Sequence, residues 1–216
     1  MLCLDILFAK SQSLFQNDYM LDTLPIHHHS RVIFLLKKSD IVAFPTGTSY
    51  GLGVNALDKV ALDKLTNLKG RDGEKAYSIL LPTKNPETFV NLSAEEKKVL
   101  EKFKDKPLTL LVKPKAPLDH LAKDGHVGVR TADHPFTKGL ADLLEFPITA
   151  TSANRTGENP AYSTEELAKM FEKETFMAVD GGTLPTLKAS TVAKFENGKW
   201  EVLREGEIRK KDLEAA

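Results

Sequence analysis

The chain has 216 residues, and its 30 Lys plus Arg balance 30 Asp plus Glu, so the formal net charge at neutral pH is zero. That length can bury a full core, and the neutral balance argues against a surface built wholly for nucleic acid, although a local basic groove is compatible with it. One cysteine, Cys3, excludes an intrachain disulfide and a multi-cysteine metal site and suits a reducing cytoplasm, while no apolar run approaches the roughly 20 residues that span a bilayer.

Residues 1–30 read as an N-terminal extension or an extra helix. The opening MLCLDILFAKSQSLFQ carries Asp5 early and lacks a basic n-region, so it is a poor signal peptide. His27, His28 and His29 fit a solvated turn better than a metal site. Arg31 to Lys38 has a helical apolar face, and Ile41 to Pro45 is a buried strand. Thr46, Gly47, Thr48, Ser49 and Tyr50 follow, a run of hydroxyls and little bulk that reads as a turn. Leu57 to Lys69 is helical through Val60, Leu62, Leu65 and Leu68, and Ala76 to Leu81 is a strand. Ser93-Ala94-Glu95-Glu96 is a capping box in front of another helix.

Leu108 to Val112 and Val127 to Arg130 are the next strands, and Phe136 to Phe146 is helical. Ile148 to Thr151 reads as one strand running into Ser152-Ala153-Asn154. A helix opens at Ser163, and Phe176 to Val179 is a strand. Thr191 to Phe195 and Lys199 to Leu203 flank Asn197-Gly198, a two-residue hairpin signal. Helices and strands alternate throughout, so the class is α/β or α+β with some antiparallel pairing, and no linker divides it.

Five polar clusters lie at or just past the ends of these elements, where a rigid scaffold presents binding groups to a loop. They are Thr46 to Tyr50, Lys69-Gly70-Arg71, Gly128-Val129-Arg130, Ser152-Ala153-Asn154, and Ser190-Thr191 with Arg204. Lys69 and Arg71 read equally as a helix C-terminus complementing its dipole beside a Gly cap or as a phosphate clamp in which Arg71 forks two oxygens. With Arg130 and Arg204 they make four cations, enough for a triphosphate and its magnesium. Ser152 and Asn154 either close their own turn or offer uncharged contacts to a ribose, a base or phosphate oxygens. The sequence has no G-x-x-x-x-G-K-[ST] loop, no G-x-G-x-x-G fingerprint, no G-x-S-x-G elbow and no H-E-x-x-H. His134 fits a capping or structural residue better than an acid/base, and His120 and His126 carry no spacing argument.

In order, "PTGTSYGLG", "KGR", "VGVRTADHP", "TSANRTG" and "STVAKF…LREG" resemble the signatures of the YrdC-like domain, the threonylcarbamoyl-adenylate synthases. The resemblance covers about residues 31–208, with 209–216 as a tail, and looks like the short single-domain form. It implies an α/β fold with a twisted, mostly parallel-to-mixed sheet around a concave basic cavity. It also implies that L-threonine, bicarbonate and ATP, with Mg2+ carried by the nucleotide, give threonylcarbamoyl-AMP and pyrophosphate for a downstream tRNA threonylcarbamoyl-transferase machinery. On matched motifs, Lys69, Arg71, Ser152 and Asn154 would be catalytic and, with Arg204, hold ATP; Thr46, Tyr50, Ser78, Arg130 and Ser190 would surround threonine. The small residues of the first motif would form a floor that lets threonine approach closely.

The sequence departs from the pattern at Gly47, where relatives usually carry Asp or Glu, and after Lys-Gly-Arg, where a proline-rich stretch is usual. Two alternatives follow: a double-stranded RNA or tRNA-binding module without synthase activity, weakened by the neutral charge and the lack of aromatic stripes, and a paralogue using another amino acid.

Overall fold

The computed structural model describes residues 21–70 and 77–216. Two sheets organise them. The first runs β1 (Asp22–Pro25), β10 (Met177–Asp180), β2 (Val42–Pro45), β3 (Tyr50–Gly53), β9 (Thr151–Ser152). The second runs β12 (Lys199–Arg204), β11 (Thr191–Glu196), β6 (Leu108–Pro114), β7 (Val127–Arg130), β4 (Ser78–Leu80), β8 (Ile148–Thr149), with β5 (Val90–Asn91) added beside β6. Six of these ten pairings are antiparallel, so the sheets are mixed rather than mostly parallel.

The stretch that reads as one strand, Ile148 to Thr151, is two. Residues 148–149 pair with β4 in the second sheet, and 151–152 pair with β3 in the first, with Ala150 as the crossover. Thr149, fully buried, holds the junction: its hydroxyl donates to Leu52 O and accepts from Val54 N–H. The chain therefore leaves one sheet and enters the other immediately before Ser152, so that Ser152 and Asn154 emerge at the seam.

The β-period is visible along β2, where Val42 and Phe44 enter one apolar cluster while Ala43 enters the other. The cluster holding Val42 and Phe44 is closed by α1 (His29–Lys37) and α4 (Pro135–Leu143), through Val32, Leu36, Phe136 and Leu140. The larger cluster holds the buried face of α2 (Lys59–Lys69) and the core of the second sheet. Three helix starts are capped by side chains. Asp58 caps α2 by accepting from Val60 and Ala61 N–H, Ser93 and Glu96 form the capping box of α3 (Ala94–Lys102), and Ser163 caps α5 (Thr164–Met170). Asn197 and Gly198 both take positive φ, 51° and 73°, as a tight two-residue hairpin requires.

The described ends pack on the fold. β1 runs parallel to β10 as a sheet edge, and His29 opens α1 with its ring stacked on Phe136 at 4.6 Å. His27 and His28 are exposed, as a solvated turn would be. Lys210–Glu214 forms α6, which buries Leu213. The part of the expected extension before residue 21 lies outside the described residues. Among the described residues no helix is long and apolar enough to cross a membrane.

Candidate functional site

Lys69 reaches the site because of its place on α2. Leu62, Leu65 and Lys69 recur at three- and four-residue spacing, so the cation continues the buried stripe. It is 1% exposed. Its ammonium donates to Ser152 O at 2.6 Å, Asn154 O at 2.8 Å and Asn154 Oδ1 at 3.2 Å. Gly70, left-handed at φ 58°, caps the helix as the sequence reading expects. The turn beyond β9 closes on itself as well: Ser152 Oγ donates to Asn154 Oδ1 at 2.5 Å, and Asn154 Nδ2 donates to Arg155 O and Glu158 O. Arg155 and the Thr156 N–H take the Leu68 and Lys69 carbonyls at the helix end. Lys69, Ser152 and Asn154, distant in sequence, are thus one cluster. Arg71 lies outside the described residues.

A second cluster forms at the turn between β2 and β3. Arg130, at the end of β7, turns its guanidinium onto that turn: Nη2 donates to Thr48 Oγ1 at 2.9 Å and Thr46 Oγ1 at 3.1 Å. Thr46 Oγ1 in turn donates to Ser49 O at 2.7 Å. Asp133, three residues beyond Arg130, completes the group. Its side chain is 1% exposed, Oδ2 faces Arg130 Nη2 at 3.3 Å, and Oδ1 accepts from the Gly47 N–H at 3.2 Å. Arg130 Nε is buried with no hydrogen-bond partner among the described residues. A buried donor of this kind is costly unless water or a ligand meets it.

Arg204 approaches the same region from the hairpin. Its Nε donates to Ser190 O at 2.9 Å and its Nη2 to Ser190 Oγ at 3.0 Å, and Ser190 Oγ lies 3.0 Å from Thr109 Oγ1. Desolvation, and secondarily the charge of Arg130, draw the Arg204 pKa below the ordinary arginine value. Two guanidiniums that repel one another make a favourable place for an anion. Thr191 ties the two last motifs together, donating to Ile208 O and accepting from Gly206 and Ile208 N–H.

Two further expected threonine contacts are Tyr50 and Ser78. Tyr50 is fully buried, and its hydroxyl donates to Gly182 O at 3.0 Å while accepting from Gly181 N–H at 2.9 Å. It fixes the start of the 181–190 connection, and burial raises its pKa. Ser78 pairs with Gly128, two residues before Arg130, but no hydrogen bond among the described residues joins its hydroxyl to the cluster. The small residues of the first motif are not an open floor either. A Cβ on Gly53 would stand 2.5 Å from the Phe44 ring, and one on Gly51 would meet the Thr46 methyl at 3.2 Å. Protein side chains fill that space.

The sequence reading missed Asp133. Its signals were the Arg130-x-x-Asp133 charge pair and the bare Gly47, over which the carboxylate lies. His134 is a cap, as read: Nδ1 accepts the Phe136 N–H at the start of α4, and burial lowers its pKa.

The family model described as "Telomere recombination", which covers Sua5, YciO and YrdC, matches residues 35–206. A "Putative threonylcarbamoyl-AMP synthase" of Methanocaldococcus jannaschii is 33% identical over 183 residues, covering 82% of this chain and 87% of the relative. The "Threonylcarbamoyl-AMP synthase" of Bacillus subtilis is 32% identical over 186 residues, 84% of this chain and 54% of its own. Among solved structures, P. abyssi Sua5 complexed with L-threonine matches with a TM-score of 0.80 and 26% identity, over 91% of this chain and 60% of that one. E. coli YciO, at 19% identity and TM-score 0.77, shares the fold. With the family model spanning most of its length and its site clusters drawn from the same segments, this chain belongs to the Sua5/YciO/YrdC family.

Proposed function

We propose that the protein is a threonylcarbamoyl-AMP synthase, a nucleotidyl-transferring enzyme that takes L-threonine, bicarbonate and ATP. Relatives of that name support the reading, and one observation in the site carries it: the buried Arg130 Nε, without a hydrogen-bond partner among the described residues, beside the Thr46 and Thr48 hydroxyls. A guanidinium edge flanked by hydroxyls suits an amino-acid carboxylate. Arg204, whose guanidinium donates to Ser190 alone among the described residues, suits the polyphosphate. The Ser152–Asn154 turn, with Lys69 beneath it and Arg71 two residues on in sequence, suits the nucleoside end.

The reaction then needs no covalent nucleophile from the protein. The neutral threonine amine attacks carbon dioxide or bicarbonate, giving an N-carboxylate with loss of a proton or of water. That carboxylate attacks the α-phosphorus of ATP, and pyrophosphate leaves with the bonding electrons. The protein contributes position and charge, the usual currency of phosphoryl-group chemistry. Magnesium would be carried by the nucleotide, where it would offset phosphate charge. The product, a mixed anhydride, is reactive towards amines and serves a tRNA threonylcarbamoyl-transferase machinery in the same compartment, the cytoplasm.

The test is pyrophosphate release. Purified protein given ATP, bicarbonate and L-threonine releases pyrophosphate and forms threonylcarbamoyl-AMP, and omission of any one stops both. Release independent of threonine, or none at all, contradicts the reading. An amino-acid panel in the same assay separates threonine from other acceptors.

A further inference from the structure

We propose that Asp133 is a positioning residue of the amino-acid corner, and that in this chain its carboxylate occupies the space a side chain at residue 47 would need. The inference rests on the functional reading only for what Arg130 receives; the steric half stands by itself.

The carboxylate is divided between two tasks. Oδ1 accepts from the Gly47 backbone N–H, and Oδ2 faces Arg130 Nη2. One side chain therefore ties the backbone of the β2–β3 turn to the guanidinium that leans on that turn. Nη2 has two hydrogens and three acceptors within reach: Thr46 Oγ1, Thr48 Oγ1 and Asp133 Oδ2. These fix the guanidinium plane, and that plane decides where the unpartnered Nε points. Without Asp133 the two hydroxyls alone would hold the group, and rotation about the end of the side chain would be much less restricted. Asp133 also supplies the counter-charge for a side chain only 11% exposed.

The same placement explains Gly47 without appeal to backbone freedom. A Cβ there would stand 2.5 Å from Asp133 Oδ2, 2.6 Å from its Cγ and 3.1 Å from its carbonyl oxygen. A flexible, exposed side chain could swing away from such a contact. Asp133 is buried and held at both oxygens, so a methyl at 47 must evict the carboxylate and with it the setting of Arg130.

The experiment is a double-mutant cycle with a kinetic readout. Gly47→Ala, Asp133→Ala and the pair are melted, and Asp133→Asn, which keeps the size of the side chain, is assayed. The proposal expects Gly47→Ala to lower Tm in the wild-type background and to change it much less in the Asp133→Ala background, a coupling typical of residues in contact. For folded Asp133→Asn it expects KM for L-threonine to rise about tenfold, with KM for ATP and kcat changed less than about threefold, the pattern of lost ground-state binding. Strictly additive Tm losses overturn the steric claim. An unchanged threonine KM, or a fall in kcat with both KM values constant, overturns the positioning role. Should the wild-type protein show no threonine-dependent turnover, the functional reading fails, and the melting cycle still decides the Gly47–Asp133 relation.

Discussion

The two corners of the site are built from similar groups and finished differently. At the Ser152–Asn154 corner the donors and acceptors are matched within the protein: Lys69 takes three oxygens, and Ser152 and Asn154 bond to one another and to the following loop. At the Arg130 corner a buried donor is left over, and Arg204, a second guanidinium, stands near enough to feel its charge. The first corner is a rigid shape carrying positive charge. The second is a hydrogen-bonding set left incomplete among the described residues, which an anion would complete. On the proposed function, cations that look alike in sequence have separate work, Lys69 holding the turn and Arg130 meeting a ligand.

The largest expected effect breaks this contrast on its open side. Arg130→Lys keeps a cation near Asp133 but removes the Nε edge, so kcat/KM should fall by about 100-fold, near 2.7 kcal/mol of transition-state stabilisation, while the chain stays folded. A Tm loss with activity preserved would place Arg130 with Lys69 as structure.

Lys69→Met tests the closed side. Three oxygens lose their donor in a buried place, so a destabilisation of about 2–4 kcal/mol is expected. For a chain of this size that is a Tm fall of roughly 5–10 °C, read by calorimetry. Loss of pyrophosphate release at an unchanged Tm would show that Lys69 acts mainly on the ligand.

The smallest effect concerns His134, next to Asp133. Its folded-state pKa lies below the ordinary 6.5, chiefly through desolvation, which the charge of Asp133 opposes. Nδ1 must stay unprotonated to cap α4. The unfolded chain therefore takes up the proton first as pH falls through 6.5, so this contribution is complete above that value and is lost below it. The Tm should drop modestly between pH 7.5 and 5.5, and His134→Asn, which keeps a cap acceptor, should flatten that slope.

Much of this was legible in the chain, for physical reasons that differ from place to place. Val127 to Arg130 reads as a strand because its apolar run is unbroken, and the structure keeps those bounds. The helix starts at Asp58, Ser93 and Ser163 carry their caps locally. Tyr50–Gly53 was hidden: two glycines read as a turn, yet they are strand residues whose missing side chains make room for Phe44 and Thr46. Asp22–Pro25 was hidden because an exposed four-residue edge has no apolar signature. The split at Ala150 depends on pairing partners far away in sequence. In the site, residue types at element ends pointed to Lys69, Ser152, Asn154, Arg130 and Arg204. That Lys69 faces inward follows from its place on the Leu62–Leu65 stripe, whereas the occupation of the Tyr50 hydroxyl by Gly181 and Gly182 and the cover of Gly47 by Asp133 are tertiary facts that no spacing encodes.

The most direct test is a crystal structure of the protein with L-threonine and a non-hydrolysable ATP analogue. The account predicts the threonine carboxylate within hydrogen-bonding distance of Arg130 Nε, with the phosphates towards Arg204 and the Lys69–Ser152–Asn154 turn unmoved beneath the nucleoside. Threonine bound elsewhere, with Arg130 Nε meeting neither substrate, would contradict it.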